Sequence, residues 1–274
     1  MSKSAATKLD IMPAQRRARL LDLVRERGAA SIHELAEDLQ TSLSTIRRDL
    51  DQLTEDGYLD RTHGGVLLRR VEPATFEAED ALNSQLALRQ KQAIGMVAAQ
   101  RLSPGISVLC DSSTTVLEAM RVVVEQKLRL TVVTNNLSIA ALCTLSPGIR
   151  VVVPGGTVRA GTVTLFGAPG ETFLDNLHAD LCLLGTHSIT GTLLTEASVE
   201  GAVAKKTMIR CSRRTILLAD SSKFQLPSFC TIGEITDIDE LITDDGVAPR
   251  YLQAFEGSDL KVTVVPCPRI SPKP

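Results

Sequence analysis

A rhythm in the last two-thirds of the chain most constrains its fold. Short apolar runs of strand length recur at 106–110, 130–134, 149–153, 180–184, 215–219, 239–242 and 262–265, most of them separated by segments long enough for a helix. A run that is apolar at consecutive positions is buried on both faces. Strands of that kind alternating with helices predict a mainly parallel, Rossmann-like α/β sheet. A helix from about Leu86 to Leu102 opens this part. In open sheets of this class ligands bind outside the carboxyl ends of the strands, so the residues just after each run carry the functional information.

Those residues share a chemistry. The first run is followed by Asp111-Ser112-Ser113-Thr114-Thr115 and a helix start at Val116-Leu117, the second by Thr134-Asn135-Asn136 and the third by Pro154-Gly155-Gly156-Thr157. Gly185-Thr186 follows the fourth and Asp220-Ser221-Ser222-Lys223 ends the fifth. Hydroxyls and free backbone N–H groups at a helix N-terminus, as at 112–115, suit an anion such as phosphate, and Lys223 supplies a compensating point charge. Asp111 and Asp220 repel phosphate but accept from sugar hydroxyls. The five loops together fit a phosphorylated sugar or polyol. For any single loop the plainer explanation is that Ser and Thr cap a helix and Asp starts a turn; five on one rim favour a site. Glu200, with Lys205 and Lys206, is the one cluster suited to acid–base work. Exposed charges at the end of an amphipathic helix are the commoner explanation there, and Glu200 or Lys205 lining the pocket is the alternative.

The first seventy residues follow a different pattern. A helix begins near Pro13 and runs to Arg27, with Leu20, Leu21 and Val24 on one face and Gly28 as its stop. Ser31-Ile32-His33-Glu34 has capping-box spacing. Ser42 is the N-cap candidate of a third helix that buries Ile46, Leu50 and Leu53, leaving Ser44, Thr45, Arg47 and Arg48 on other faces. Gly57 ends it. Tyr58–Arg61 and Val66–Leu68 form two short strands around Thr62-His63-Gly64-Gly65, where the glycines fit a turn needing positive φ. Three helices and a glycine-bent wing outline a winged helix-turn-helix, which reads double-stranded DNA by placing one helix in the major groove. Taken alone, Arg47-Arg48 reads as a solvated face paired with Asp49 and Asp51; ahead of a wing, base-edge and phosphate contacts are the better expectation. Arg61 and His63 on the wing can reach phosphate or the minor groove, and His63 serves equally well as a turn residue.

Composition adds mainly exclusions. The net charge of -2 gives DNA binding no support, so that case rests on local geometry. With 3% aromatic residues and no Trp, a stacking platform for single-stranded nucleic acid is not expected. No apolar run reaches membrane-spanning length and the N-terminus lacks the apolar stretch of a signal peptide, which suggests a cytoplasmic protein without a membrane partner. The six scattered cysteines read as buried reduced thiols. The dispersed histidines form no metal site, there is no nucleophile elbow or nucleotide-phosphate loop, and neither catalytic residues nor a cofactor are expected.

The segment Ser42–Leu50, ending Thr45-Ile46-Arg47-Arg48-Asp49-Leu50, with Asp56-Gly57 and Arg61-Thr62-His63-Gly64-Gly65, resembles the DNA-binding signature of the DeoR family of bacterial repressors. Asp111-Ser112, Thr114-Thr115, Thr134-Asn135, Gly155-Gly156, Phe166-Gly167 and Leu218-Ala219-Asp220-Ser221-Ser222-Lys223 are similar to that family's sensor domain, and the match runs in order from about 14 to 265. The resemblance implies a homo-oligomeric repressor, dimer or tetramer, of a carbohydrate-related operon, with a sensor fold like that of ribose-5-phosphate isomerase that binds a sugar phosphate. It implies operator contacts from Ser42, Ser44, Thr45, Arg47, Arg48, Arg61, His63 and Gly64. It implies effector contacts from Asp111, Ser112, Ser113, Thr114, Thr115, Thr134, Asn135, Gly155, Gly156, Glu200, Lys205, Asp220 and Lys223. Gly185-Thr186-His187-Ser188 stands where the isomerases carry an acidic catalytic loop, which implies binding without that chemistry. Ser113 stands where the family usually has Gly; if the position needs positive φ, its Cβ crowds the approach to phosphate. Thr41 replaces a usual valine, and Gly201 falls where a second acidic residue is frequent.

The expected organisation is a disordered start (1–13), a winged helix-turn-helix (14–70), a polar linker (71–85), a sensor and oligomerisation domain (86–267) and a tail (268–274). Two other readings stay open: an activator of the same architecture, and a sugar-phosphate isomerase or deaminase with an accessory DNA-binding domain.

Overall fold

The computed structural model describes residues 12–69, 74–75 and 80–267 of the 274-residue chain. Of the disordered start expected over 1–13, residues 1–11 lie outside the described residues and Pro13 already begins a helix; 71–73 and 76–79 of the expected linker and the tail lie outside them too. The chain divides into two compact units, 1–73 with 81–86, and 74–80 with 87–274.

In the first unit, α1 (Pro13–Arg27) starts with proline at its first position and stops at Gly28, whose φ of +77° suits glycine. Strand β1 (Ala29–Ser31) leads into α2 (Ile32–Asp38), which opens on a complete capping box between Ser31 and Glu34. Helix α3 (Leu43–Glu55) is capped by Ser42, whose Oγ accepts from the Thr45 amide. Strands β2 (Leu59–Arg61) and β3 (Gly65–Leu68) form the wing, and β1 pairs with β3 in a three-stranded sheet. The two wing strands match expectation, whereas β1 was not anticipated. It also changes the reading of the glycines. Neither Gly64 nor Gly65 has positive φ. Gly65 is required for a different reason: a Cβ there would lie 2.2 Å from the Ala30 carbonyl oxygen, where β1 crosses the wing.

Within the segment expected to be a linker lies a short helix, α4 (Asp80–Asn83). Leu82 and Leu86 are buried, so apolar burial extends into a stretch whose polar composition suggested none.

The second unit is a three-layer sandwich. It runs α5 (Leu88–Ala99), β4 (Ser107–Cys110), α6 (Thr114–Glu125), β5 (Leu130–Thr134), α7 (Leu137–Cys143), β6 (Ile149–Val152), then a small hairpin of β7 (Thr157–Val158) and β8 (Leu165–Phe166), and α8 (Gly170–Leu174). After β9 (Leu181–Leu184) come β10 (Ser188–Thr190), β11 (Leu193–Glu196), α9 (Val199–Arg210), β12 (Thr215–Leu218), β13 (Cys230–Glu234), β14 (Glu240–Asp244), α10 (Pro249–Leu252) and β15 (Lys261–Val265). The seven apolar runs are the seven strands of one sheet, ordered β15-β14-β12-β9-β4-β5-β6 and parallel throughout. Successive residues feed opposite faces. Val108 and Cys110 pack with Leu181, Leu183, Ile216 and Met120 on one side; Leu109 packs with Cys182, Leu184, Leu217 and Met208 on the other. The antiparallel sheet β10-β11-β13 lies outside this pattern and was not anticipated. Four cysteines are buried as expected, while Cys230 and Cys267 are only half-buried; none forms a disulfide.

Glu240, fully buried at the start of β14, clasps the edge where the strands begin. Its carboxylate accepts from Arg101 beyond α5 (2.9 Å), Arg214 ahead of β12 (2.6 Å) and Thr263 of β15 (2.9 Å), and pairs with Lys261 (3.1 Å). Burial disfavours its charge, but the bonds from Arg101, Lys261 and Thr263 outweigh burial and hold it down to about 2. Because that value is depressed, the stability it contributes is complete above the ordinary 4.5 and lost as pH falls toward 2. Glu240→Gln is expected to destabilise this unit by about 2–3 kcal/mol at neutral pH, since its cationic partners still reach water. Urea unfolding between pH 6 and 3 checks it: the gap between wild type and variant closes as pH falls.

Candidate DNA interface and effector site

On α3, Ile46, Leu50 and Leu53 are buried, and so is Asp49. Asp49 is bound by Arg16 of α1 at 2.5 and 3.2 Å, a two-point clamp that fixes α3 against α1. Asp51 pairs with Arg61 of the wing, which also donates to the Arg47 carbonyl oxygen at 3.0 Å. The alternative in which Asp49 and Asp51 neutralise Arg47-Arg48 is therefore not realised. Both arginines are exposed and, among the described residues, have no ion-pair partner. The same contact revises Arg61: it braces the wing against α3 rather than standing free for phosphate. Ser44, His63 and Gly64 are exposed, and Ser42, Ser44 and Thr45 are joined by hydrogen bonds at the cap of α3.

In the second unit, the five loops expected to form a rim follow β6, β5, β4, β9 and β12, which are consecutive in the sheet. Order reverses between β4 and β9: β5 and β6 lie to one side, and β12, β14 and β15 to the other. This is the switch point at which such sheets leave a crevice, and a buried ionic network spans it. Asp111, after β4, accepts from the Gly185 amide after β9 (2.8 Å) and from the Ser113 amide (2.9 Å). Lys205 of α9 reaches Asp111 (3.1 Å), the Gly185 carbonyl oxygen (3.0 Å) and Glu196 at the end of β11 (2.6 Å). Its three donors are thus all engaged. Burial disfavours charge on Lys205, but Glu196 and then Asp111 outweigh it and raise its affinity for the proton; Lys205 in turn holds Glu196 low against the effect of burial.

Glu196 was missed because it ends β11, a strand of the antiparallel sheet that the apolar runs did not reveal. Glu200 had been expected to share the pocket with Lys205, but it is exposed on the first turn of α9. Gly201 is buried against the side chains of Glu196 and Ser198, with a Cβ predicted to fall 3.0 and 2.8 Å from them. A second acidic side chain has no room there.

Ser113 has φ of −68°, so the strain expected of a non-glycine residue does not arise. It caps α6, its Oγ accepting from the Thr115 amide (3.1 Å). The glycine that this crowding demands is Gly185, where a Cβ would lie 2.4 Å from the Ser113 side chain. Thr115 and Thr134 are buried, and Thr134 Oγ1 is occupied by the Asn136 amide. Asn136 caps α7 and donates to the Ser112 carbonyl oxygen. Asn135 donates to Leu165, leaving its buried Oδ1 without a partner beside a cavity of about 10 Å3 lined by Gly155, Leu165, Gly170 and Ala204. Gly155 and Gly156 both adopt positive φ, and Gly156 lies against the Phe166 carbonyl oxygen.

At the β12 end, Asp220 is buried, with Oδ1 accepting from the Ser222 amide and hydroxyl. Ser221 is held by Asp244 at the end of β14. Burial, opposed by Lys223 and then Lys91, governs Asp220, and the cations win: the carboxyl is held below its ordinary value. Burial first and Lys223 next push His187 down to about 4, so its ring is neutral at physiological pH.

A DeoR-like helix-turn-helix domain matches residues 16–70, and the DeoR C terminal sensor domain matches residues 87–245. The chain belongs to the DeoR family. YulB of Bacillus subtilis, an uncharacterized HTH-type transcriptional regulator, is 30% identical over 93% of this chain and 98% of its own length. The transcriptional repressor AccR of Agrobacterium fabrum is 32% identical over 84% and 89%, and the HTH-type transcriptional repressor CsqR of Escherichia coli is 31% identical over 90% and 94%. A ribose 5-phosphate isomerase A from Methanocaldococcus jannaschii is similar in structure over 49% of this chain and 53% of that one, with TM-score 0.37 and 15% identity. As a DeoR-family regulator, the chain joins a DNA-reading unit to a sensor, and no helix among its described residues is long and apolar enough to cross a membrane.

The Ser113–Gly185 contact gives a stringent check on this geometry. Gly185→Ala should destabilise the sensor by about 1–3 kcal/mol through overpacking, and Ser113→Gly in the same chain should recover most of it, because that cap substitution costs only about a few tenths of a kcal/mol. A double-mutant cycle by chemical denaturation measures the coupling; additive losses would mean the two residues do not touch.

Proposed function

We propose that the protein is a transcriptional repressor of a carbohydrate-related operon, controlled by a phosphorylated sugar or polyol bound at the sensor rim. One observation carries the reading: the rim's ionisable groups divide into a closed set and an open one. Lys205, Asp111 and Glu196 are committed to one another, while the Lys223 ammonium has no ion-pair or hydrogen-bond partner among the described residues. A proton-transfer catalyst needs an acid or base at liberty, and Lys205, Asp111 and Glu196 are not at liberty. The open cation, the serine and threonine hydroxyls and the Thr114 amide suit a phosphate monoester. The repressors AccR and CsqR among its relatives support the sign of regulation.

In this reading α3 enters the major groove with Arg47 and Arg48 leading, and Ser42, Ser44, Thr45, His63 and Gly64 at the backbone. The protein acts in the cytoplasm as a homo-oligomer, dimer or tetramer, so that paired winged units meet paired half-sites. It needs no cofactor. The effector changes DNA affinity only by binding two states of the protein unequally.

A thermal-shift screen of phosphorylated sugars and polyols against their unphosphorylated parents tests the effector half. A selective ligand at about 100 times its Kd adds roughly 2.7 kcal/mol to native stability. A panel in which nothing shifts Tm or operator affinity would overturn it. Lys223→Ala is expected to bring the ratio of operator affinities without and with effector close to one. For the DNA half, Arg47→Ala should weaken specific operator binding by about 1–3 kcal/mol and relax discrimination at one base position; unchanged affinity and specificity in a gel-shift titration would refute a base contact.

A further inference from the structure

Lys91 is absent from any expectation drawn on the sequence, where it stands among the polar residues at the start of α5. In the structure it is 2% exposed, the bulkiest fully buried side chain among the described residues. Its position follows from two contacts of the same helix. Arg101, just past the end of α5, bonds Glu240 at the edge where the strands begin. Ten residues of helix span about 15 Å, so Lys91 lies toward the opposite edge, where the strands end. Gly95 lies against the Glu118–Ala119 backbone of α6, where a Cβ would fall 2.7 Å from the Ala119 amide nitrogen. Both helices run from the strand-ending edge to the strand-beginning edge, so Lys91, one turn before Gly95, is level with Thr114-Thr115 at the start of α6.

Three observations mark that level as a place for an anion. Among the described residues the Thr114 and Val116 amides have no hydrogen-bond acceptor, because Ser113 Oγ serves Thr115 and its carbonyl serves Leu117. Lys223 carries an uncommitted ammonium. Asp220, whose carboxyl is held low by Lys223 and then Lys91, is 1% exposed, and among the described residues its Oδ2 has no donor. A buried carboxylate oxygen without a donor is a costly arrangement unless a further group completes it. The closed network on Asp111 adds its own bias: Lys205 is balanced there by two carboxylates, so an anion is favoured at the β12 side of the crevice.

We infer that Lys91 is a phosphate-contacting residue of the effector site, holding a phosphate monoester together with Lys223 and the Thr114 and Val116 amides. Asp220 Oδ2 accepts from the P–OH of the monoanion or from an adjacent ligand hydroxyl. The inference rests on the reading of the rim as a phosphorylated-effector site. It adds that the anion is gripped from α5, the helix that opens the sensor, as well as from the loops.

The test uses the full chain with inorganic phosphate and with ribose 5-phosphate and glucose 6-phosphate as probes, by calorimetry and thermal shift. Lys91→Met is expected to weaken binding of each phosphate that the wild type binds by about tenfold or more, the loss of one charge-assisted hydrogen bond, while Lys91→Arg retains part of it. Because removal of a buried lysine can impair folding, lysine-selective 15N NMR on the wild type gives a second measurement: saturating phosphate should move the Lys91 Nζ resonance along with that of Lys223. A folded Lys91→Met with wild-type affinity, or a Lys91 resonance that stays still while Lys223 shifts, would overturn the inference and leave the effector reading standing. If the wild type binds none of the three phosphates, both fall together.

Discussion

The buried lysine of α9 is the contact on which the sensor site depends. Lys205 is taken out of water at the point where strand order reverses, and one ammonium ties together the ends of three strands: Asp111 after β4, the Gly185 carbonyl after β9 and Glu196 at the end of β11. An isolated charge in that position would be strongly unfavourable; two carboxylates and a carbonyl make it tenable. The network fixes the loop after β4, and with it the Ser113 cap and the first amides of α6. Removing Lys205 would leave two buried carboxylates without their cation, so the crevice is built around it.

The two edges of the sheet are closed by related means with opposite consequences. Where the strands begin, one carboxylate, Glu240, gathers Arg101, Arg214 and Lys261, and the arrangement is saturated and structural. Where the strands end, Lys223 and Lys91 hold the Asp220 carboxyl low, and among the described residues its Oδ2 has no donor. Helix α5 joins the two, with Arg101 at its foot and Lys91 near its start. The carboxylate completed by protein donors holds the fold; the one with an oxygen still open marks the crevice.

The DNA-reading unit divides its charges in the same way. Asp49 is committed to Arg16, and Asp51 to Arg61, so the acidic residues beside the arginine pair are spent on bracing α1 and the wing against α3. Arg47 and Arg48 are thereby left to solvent on a helix whose orientation is fixed from both sides. The near-neutral net charge of the chain is compatible with this, because what a groove meets is the local surface and not the sum.

Periodicity determined the seven strands of the main sheet and the three helices of the DNA-reading unit, though not β1, α4 or the antiparallel sheet. The seven apolar runs gave seven parallel strands, and the Ser31–Glu34 and Ser42 caps open the helices they were expected to open, because burial on two faces and satisfaction of terminal amides are local demands written in adjacent residues. The five polar loops were legible as one rim for the same reason. What only the tertiary structure decided was how those polar groups are shared. Glu196 replaced Glu200 as the partner of Lys205, Lys91 entered beside Asp220, Arg61 turned to Asp51, and the glycine of the wing answered a close backbone approach from β1 and not a turn. Each of these pairs residues on different elements, and a charge's partner depends on which side chains converge within a few ångströms. Sequence spacing does not encode that convergence, so it emerged only once the elements were packed against one another.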